Sequence, residues 1–193
     1  MNKNLKKMLY NDYKNFIVLS VIFIFALVLS AFIFIFIGQQ SSANLSYKNI
    51  IKLPFDKILF MMLRRNIIYL IAIIFLTISG KNKFIYAVFS MLSIFYGLSA
   101  IYLIKAMMTD KIYFIFLFSD FFILFPILFY FTYISGSISK YTKKSKKIET
   151  ISARFDIIVS SYIILSLIYI LIVLIYSFCY SYYIIILSRL LVK

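Results

Sequence analysis

The sequence predicts an all-α fold: a polytopic transmembrane helical bundle of about five spans, with a short interfacial helix after the first. Three observations lead there. The 193 residues are 64% hydrophobic and 20% aromatic, with a mean hydropathy of +1.02, whereas about half the residues of an ordinary soluble domain are apolar. Several uncharged runs approach or reach the ~20 residues that carry a helix across a hydrocarbon core of roughly 30 Å. Finally, the 21 Lys and Arg residues lie in short segments between those runs.

Residues 1–15, MNKNLKKMLYNDYKN, form a basic segment in which Leu5, Met8, Leu9 and Phe16 fall at roughly helical spacing. The run 16–37 that follows is too long for the apolar part of a cleaved signal peptide, so it is predicted as a retained first span. Residues 38–57 are an outer segment. Near its end Ile51, Phe55, Ile58, Leu59 and Met62 share one helical face opposite Lys52 and Asp56, which predicts an interfacial helix started by Pro54. The apolar run 66–79 would be only ~21 Å long as a helix, too short to cross alone. The second span is therefore predicted over 58–79, with Arg64 and Arg65 inside it. GKNK at 80–83 turns the chain into a third span, 84–104, and residues 105–111 lead to a fourth, 112–134. A basic segment, 135–156, precedes the last span, 157–186, which is longer than a bilayer needs and must tilt or protrude.

Charge sets the expected orientation. With the N-terminus inside, twelve of the 21 Lys and Arg residues lie on the inner side, including the KKSKK cluster at 143–147. The positive-inside bias thus favours an N-terminus inside and a C-terminus outside. The formal net charge of +15 does not point to nucleic acid, because the basic residues form no folded face and no recognition motif. They read as topology signals and contacts for anionic lipids. Lys outnumbers Arg 17 to 4 and Ile, Phe, Tyr and Asn abound, as an AT-rich bacterial genome would give, so single Tyr or Lys residues carry little weight.

The inventory argues against catalysis and against a cofactor. Histidine is absent, which removes the commonest metal ligand and proton shuttle. The single cysteine, Cys179, excludes an internal disulfide. Aspartyl intramembrane proteases need two acids, zinc types need His with Glu, and no Gly-rich phosphate loop is present.

Three constellations remain. Asp120 stands alone in the oily run IYFIFLFSDFFILFPILFYFTYI, and Arg64 and Arg65 reach a similar depth from the same side of the membrane. An unpaired charge at such a level costs a few kcal/mol or more, so a structural ion pair of Asp120 with Arg64 or Arg65 is expected to lock the second span to the fourth. In the third span Ala87, Ser90, Ser93, Gly97 and Ala100 recur at steps of three or four, a packing seam on which another backbone can approach closely. In the last span Tyr162, Tyr169, Tyr176 and Tyr183 form a ladder of period seven, with Ser166, Val173 and Tyr180 at the offset positions.

Helices two to four also carry a family likeness. The stretches LRRNIIYLIAIIFLTISG, FYGLSAIYLI and FSDFFILFPILFYFTYISGSISK resemble the stage II sporulation protein M family of bacterial membrane proteins, over roughly residues 55–140. The points of resemblance are Asn66 opening the second helix, Gly97 in the third, and Asp120 followed by Pro126. The sequence departs from the family pattern at MMTDK, where glycines are expected, and at Ser119, where a proline is. The resemblance implies a non-enzymatic membrane scaffold that anchors peptidoglycan-degrading partners during septal thinning and engulfment. The alternative from a different class is the permease subunit of an ABC-type exporter or self-immunity transporter, in which part of 140–156 would serve as a coupling helix.

Overall fold

The computed structural model describes the backbone of residues 13–41, 54–109, 118–145 and 152–191. Most of the predicted basic segment 1–15, most of the outer segment 38–57, the start of the predicted fourth span and residues 146–151 of the predicted basic segment 135–156 lie outside these residues. Five long helices make up the described chain: α1 (Tyr13–Ser41), α2 (Phe55–Ile78), α3 (Asn82–Thr109), α4 (Phe125–Ser145) and α5 (Ser152–Leu191). A short π-helical turn, Asp120–Leu124, leads directly into α4. All five helices contain segments long and apolar enough to cross a membrane, and the protein is an all-α multi-pass membrane bundle.

The expected boundaries shift in three places. The part of the predicted interfacial helix that is described, from Pro54 on, is the first turns of α2 itself, with no break before the membrane segment. Pro54 sits just outside the helix in extended conformation (φ −67°, ψ 155°), where its missing N–H costs nothing. The fourth span runs on beyond 134, and its membrane-length segment extends to Thr142. Much of the expected loop 135–156 is therefore helix, in which Ser135, Ser137 and Thr142 bond partners within and between helices. Finally, α5 is one unbroken helix of 40 residues, about 60 Å long.

The predicted turn at 80–83 has a defined geometry. Gly80 takes φ 73°, the left-handed conformation that glycine adopts without steric cost. Its N–H reaches the Thr77 carbonyl and the Lys81 N–H reaches that of Leu76, each at 3.0 Å, closing α2 with a Schellman motif. The Lys81 carbonyl in turn accepts from Phe84 at 3.0 Å and starts α3. Two antiparallel helices are joined by three residues, all of them saturating helix ends.

The hub of the bundle is α4, which touches each of the other four helices. Its membrane segment is 56% buried, against 17% for that of α1, although it has the lowest hydropathy of the five. That inversion makes physical sense in a bilayer, where lipid tails already solvate apolar surface and a polar helix gains most from the interior. Phe125, where α4 begins, is the centre of an aromatic cluster. Its ring lies 4.5 Å from Phe23, 4.9 Å from Tyr96 and 5.9 Å from Phe121. Leu124 at the end of the π-turn and Leu128 and Phe131 of α4 continue this buried face with no exposure at all.

Candidate functional site

The residues of chemical interest meet around Asp120. Pro126 explains the local backbone: it has no N–H to give the Phe122 carbonyl, and its ring would press on that carbonyl in a regular helix. The preceding turn widens instead, and the Phe125 N–H bonds the Asp120 carbonyl five residues back. Such π-turns recur at functional positions inside helices. This one places the Asp120 side chain in the interior with only 9% of it exposed.

Of the two candidate arginines, Arg65 is the partner. Its Nη2 donates to Asp120 Oδ2 at 2.9 Å. Its Nε donates to Asn66 Oδ1 at 3.0 Å, so the guanidinium is held from its own helix as well. The aromatic faces of Phe95 and Tyr96 close over it, their centroids 5.0 and 5.8 Å from Cζ. The other carboxylate oxygen, Oδ1, accepts from the Tyr176 hydroxyl at 3.2 Å. Four helical segments therefore meet at one acid: α2 through Arg65, α3 through its aromatic lid, the π-turn through Asp120 and α5 through Tyr176. Beside the pair, Asn66 Nδ2 and the Tyr96 hydroxyl are buried donors with no hydrogen-bond partner among the described residues. Arg64 is exposed, about 100° around α2 from Arg65, and takes no part. Asn66 does not open α2, as the resemblance implied, but lies in its middle, fully buried next to Arg65.

The tyrosine ladder joins this node to a second, hydroxyl-bonded one. Tyr162 is buried and its hydroxyl bonds Ser135 Oγ at 2.8 Å and Thr77 Oγ1 at 3.2 Å. Tyr169 packs its ring 4.9 Å from Phe131, and Tyr176 holds Asp120. The fourth rung departs from the pattern: Tyr183 is 38% exposed, while Tyr180 and Ile184 take the inner positions. An α-helix drifts about 20° per heptad against a period of seven, so a straight ladder of four rungs rotates off the seam. One turn from the Tyr162 node, the Tyr69 hydroxyl and Thr132 Oγ1 lie 2.5 Å apart.

The small-residue seam of α3 is realised at its centre and not at its start. Gly97 meets α1: a Cβ there would strike the Ser30 side chain and come within 3.3 Å of the Ala26 carbonyl. Ser30 Oγ donates to the Ala26 carbonyl at 2.7 Å and the Ile94 carbonyl at 2.9 Å, stitching α1 to α3. Ser93 is buried too. Ala87, however, is exposed, and Ser90 and Ala100 are half-buried. The inward face of α3 at its start is instead held by the large residues Ile85 and Phe89.

One node had no sequence counterpart. Asn15, near the start of α1, is fully buried. Its Nδ2 donates to the Tyr133 carbonyl at 2.9 Å and to Ser137 Oγ at 3.1 Å, and its Oδ1 accepts from the Tyr86 hydroxyl. Gly136 makes the room, since a Cβ there would meet Asn15 Nδ2 at 2.7 Å. In the sequence Asn15 closes the basic segment 1–15, and nothing around it marks it as buried.

Along α4, then, a charge node at Asp120 and a hydroxyl-rich half from Thr132 to Thr142 flank a dry band of Leu124, Leu128 and Phe131. The charge node can hold an ion pair and share a proton among oxygen and nitrogen atoms. Among the described residues no three His, Cys, Asp or Glu side chains stand together as a metal site would require. Comparison with known protein families, with curated proteins and with solved structures finds no match, so no family is established for the chain.

Proposed function

We propose that the protein is a non-enzymatic scaffold of the bacterial cytoplasmic membrane, its N-terminus inside, that holds other membrane or cell-wall-remodelling proteins in place. The observation that carries this reading is the way the interior polar groups are used. The one acid of the charge node is engaged by Arg65 and Tyr176 together, and the dry band of α4 separates it from the hydroxyls beyond. Polar chemistry in this interior serves to fix helices against each other, and a carrier needs a path through them. Among the described residues of 140–156, helix belongs to the last turns of α4 and the first turns of α5. The transporter alternative needs a separate coupling helix in this stretch, of which residues 146–151 lie outside the described residues. On the family resemblance, the partners of the scaffold are peptidoglycan-degrading enzymes.

The decisive experiment is a mild-detergent pull-down of tagged protein from its native cells, with mass spectrometry of the captured proteins. Cell-wall hydrolases enriched over an unrelated multi-pass control are the expected result. A nucleotide-binding ATPase recovered in stoichiometric amount would overturn the reading and make the chain a permease subunit.

A further inference from the structure

The exposed side of α2 carries a second charge feature, unrelated to the Asp120 node. Lys57, Met61, Arg64, Ile68, Ile71 and Phe75 follow one another at steps of four, three, four, three and four, a single stripe down the helix. Met61, Ile68, Ile71 and Phe75 are each more than half exposed, and Lys57 and Arg64 are exposed with them. A membrane-spanning helix turns such an exposed surface to lipid, yet Arg64 stands nine residues inside the start of α2, about 13 Å along its axis. Among the described residues no ion pair engages it. A charge at that depth needs a counter-group or a route to the interface.

Geometry supplies the route. Side chains of a helix lean toward its N-terminus, so Arg64 leans back toward the membrane surface and toward Lys57 two turns above. Beside Lys57, on the N-terminal side of Arg64, an open groove of about 410 Å³ is lined by Asp56, Lys57, Phe60 and Met61. Two cations and one carboxylate leave this end of the stripe with a single net positive charge. Below Arg64 the stripe is purely apolar for about 16 Å.

We propose that this stripe is a binding site for one phospholipid, its phosphodiester held between Lys57 and Arg64 and an acyl chain laid along Ile68, Ile71 and Phe75. The charge complement is that of a monoanionic headgroup such as phosphatidylglycerol. The site does not depend on the scaffold reading, since it needs only that α2 crosses the membrane.

Native mass spectrometry of the full-length protein, released from detergent after titration with phosphatidylglycerol, tests the site. The wild type is expected to retain one lipid preferentially. Arg64→Gln and Lys57→Gln should each weaken that retention by roughly five-fold, the worth of one cation at a membrane surface. Lys81→Gln, at the far end of α2, is expected to leave it unchanged. Both test positions are exposed, so loss of binding is separable from loss of fold by size-exclusion profile. Equal retention by Arg64→Gln and wild type would overturn the proposal. So would an equal loss in Lys81→Gln, which would make the binding a general effect of positive charge.

Discussion

Asp120 is held by two groups of different kind, and they should separate by mutation. Removing one member of a buried ion pair leaves the other uncompensated, which costs about 3–5 kcal/mol. Asp120→Asn is therefore expected to destabilise the detergent-solubilised protein by roughly 3 kcal/mol in a thermal or denaturant unfolding assay. Adding Arg65→Gln to it should restore part of that loss, whereas adding Arg64→Gln should restore none. If the Arg64 double variant recovers and the Arg65 one does not, the pairing described here is wrong. Tyr176→Phe removes one hydrogen bond to a charged acceptor and should cost less, about 1.5–3 kcal/mol. Much of this node was legible beforehand. An acid in an oily run needs a partner, and only two arginines reach its level. The choice between neighbours was not legible, because adjacent helical residues point about 100° apart and nothing local says which side faces inward. The ladder singled out Tyr176, but its contact with Asp120 spans 56 residues of chain and no local pattern encodes such a distance.

Helices here are fixed by close approach as much as by charge. Gly97→Ala would place a methyl group against Ser30, and overpacking of this kind costs about 1–3 kcal/mol. The same change in a Ser30→Ala background should cost less, because the nearest atom is gone. A double-mutant cycle on unfolding free energy measures the difference, and strict additivity would mean that the α1–α3 crossing is looser than it looks. Gly136→Ala should loosen the α1 end of the bundle by pressing on Asn15, read as faster hydrogen exchange at the start of α1. The helix count, their order and the short turn at 80–83 could all be read from runs of apolar residues, which report directly on what can sit in lipid. Helix ends could not. The C-terminal part of α4 is rich in Ser, Thr and Gly, which in water signals a loop. Inside a bundle the same residues bond back to their own carbonyls, as Thr142 does to Ile138 at 3.0 Å, and pack closely. The outward drift of Tyr183 likewise follows from helix geometry acting over three heptads, too long a reach for a pattern of period seven.

For the whole molecule, the orientation proposal has a direct readout. In a Cys179→Ser background, a single cysteine placed at Lys146 is expected to resist a membrane-impermeant maleimide in intact cells and to react once they are opened. Labelling in intact cells would reverse the topology and with it the side on which partners are sought. The charge node carries a further consequence at this scale, for a membrane that is electrically polarised. An elementary charge moved through a potential of 100 mV exchanges about 2.3 kcal/mol with the field. Because Arg65 and Asp120 stand 2.9 Å apart with opposite sign, they displace together and the field does almost no net work on them. The pair therefore holds α2 to the π-turn equally in an energised membrane and in a de-energised one. Asp120→Asn leaves a lone guanidinium in the field, so this variant alone should change its protease resistance in liposomes when a potassium diffusion potential is imposed. In the native protein the pair acts as electrical insulation: it lets a charged residue serve as a fastener without also becoming a voltage sensor.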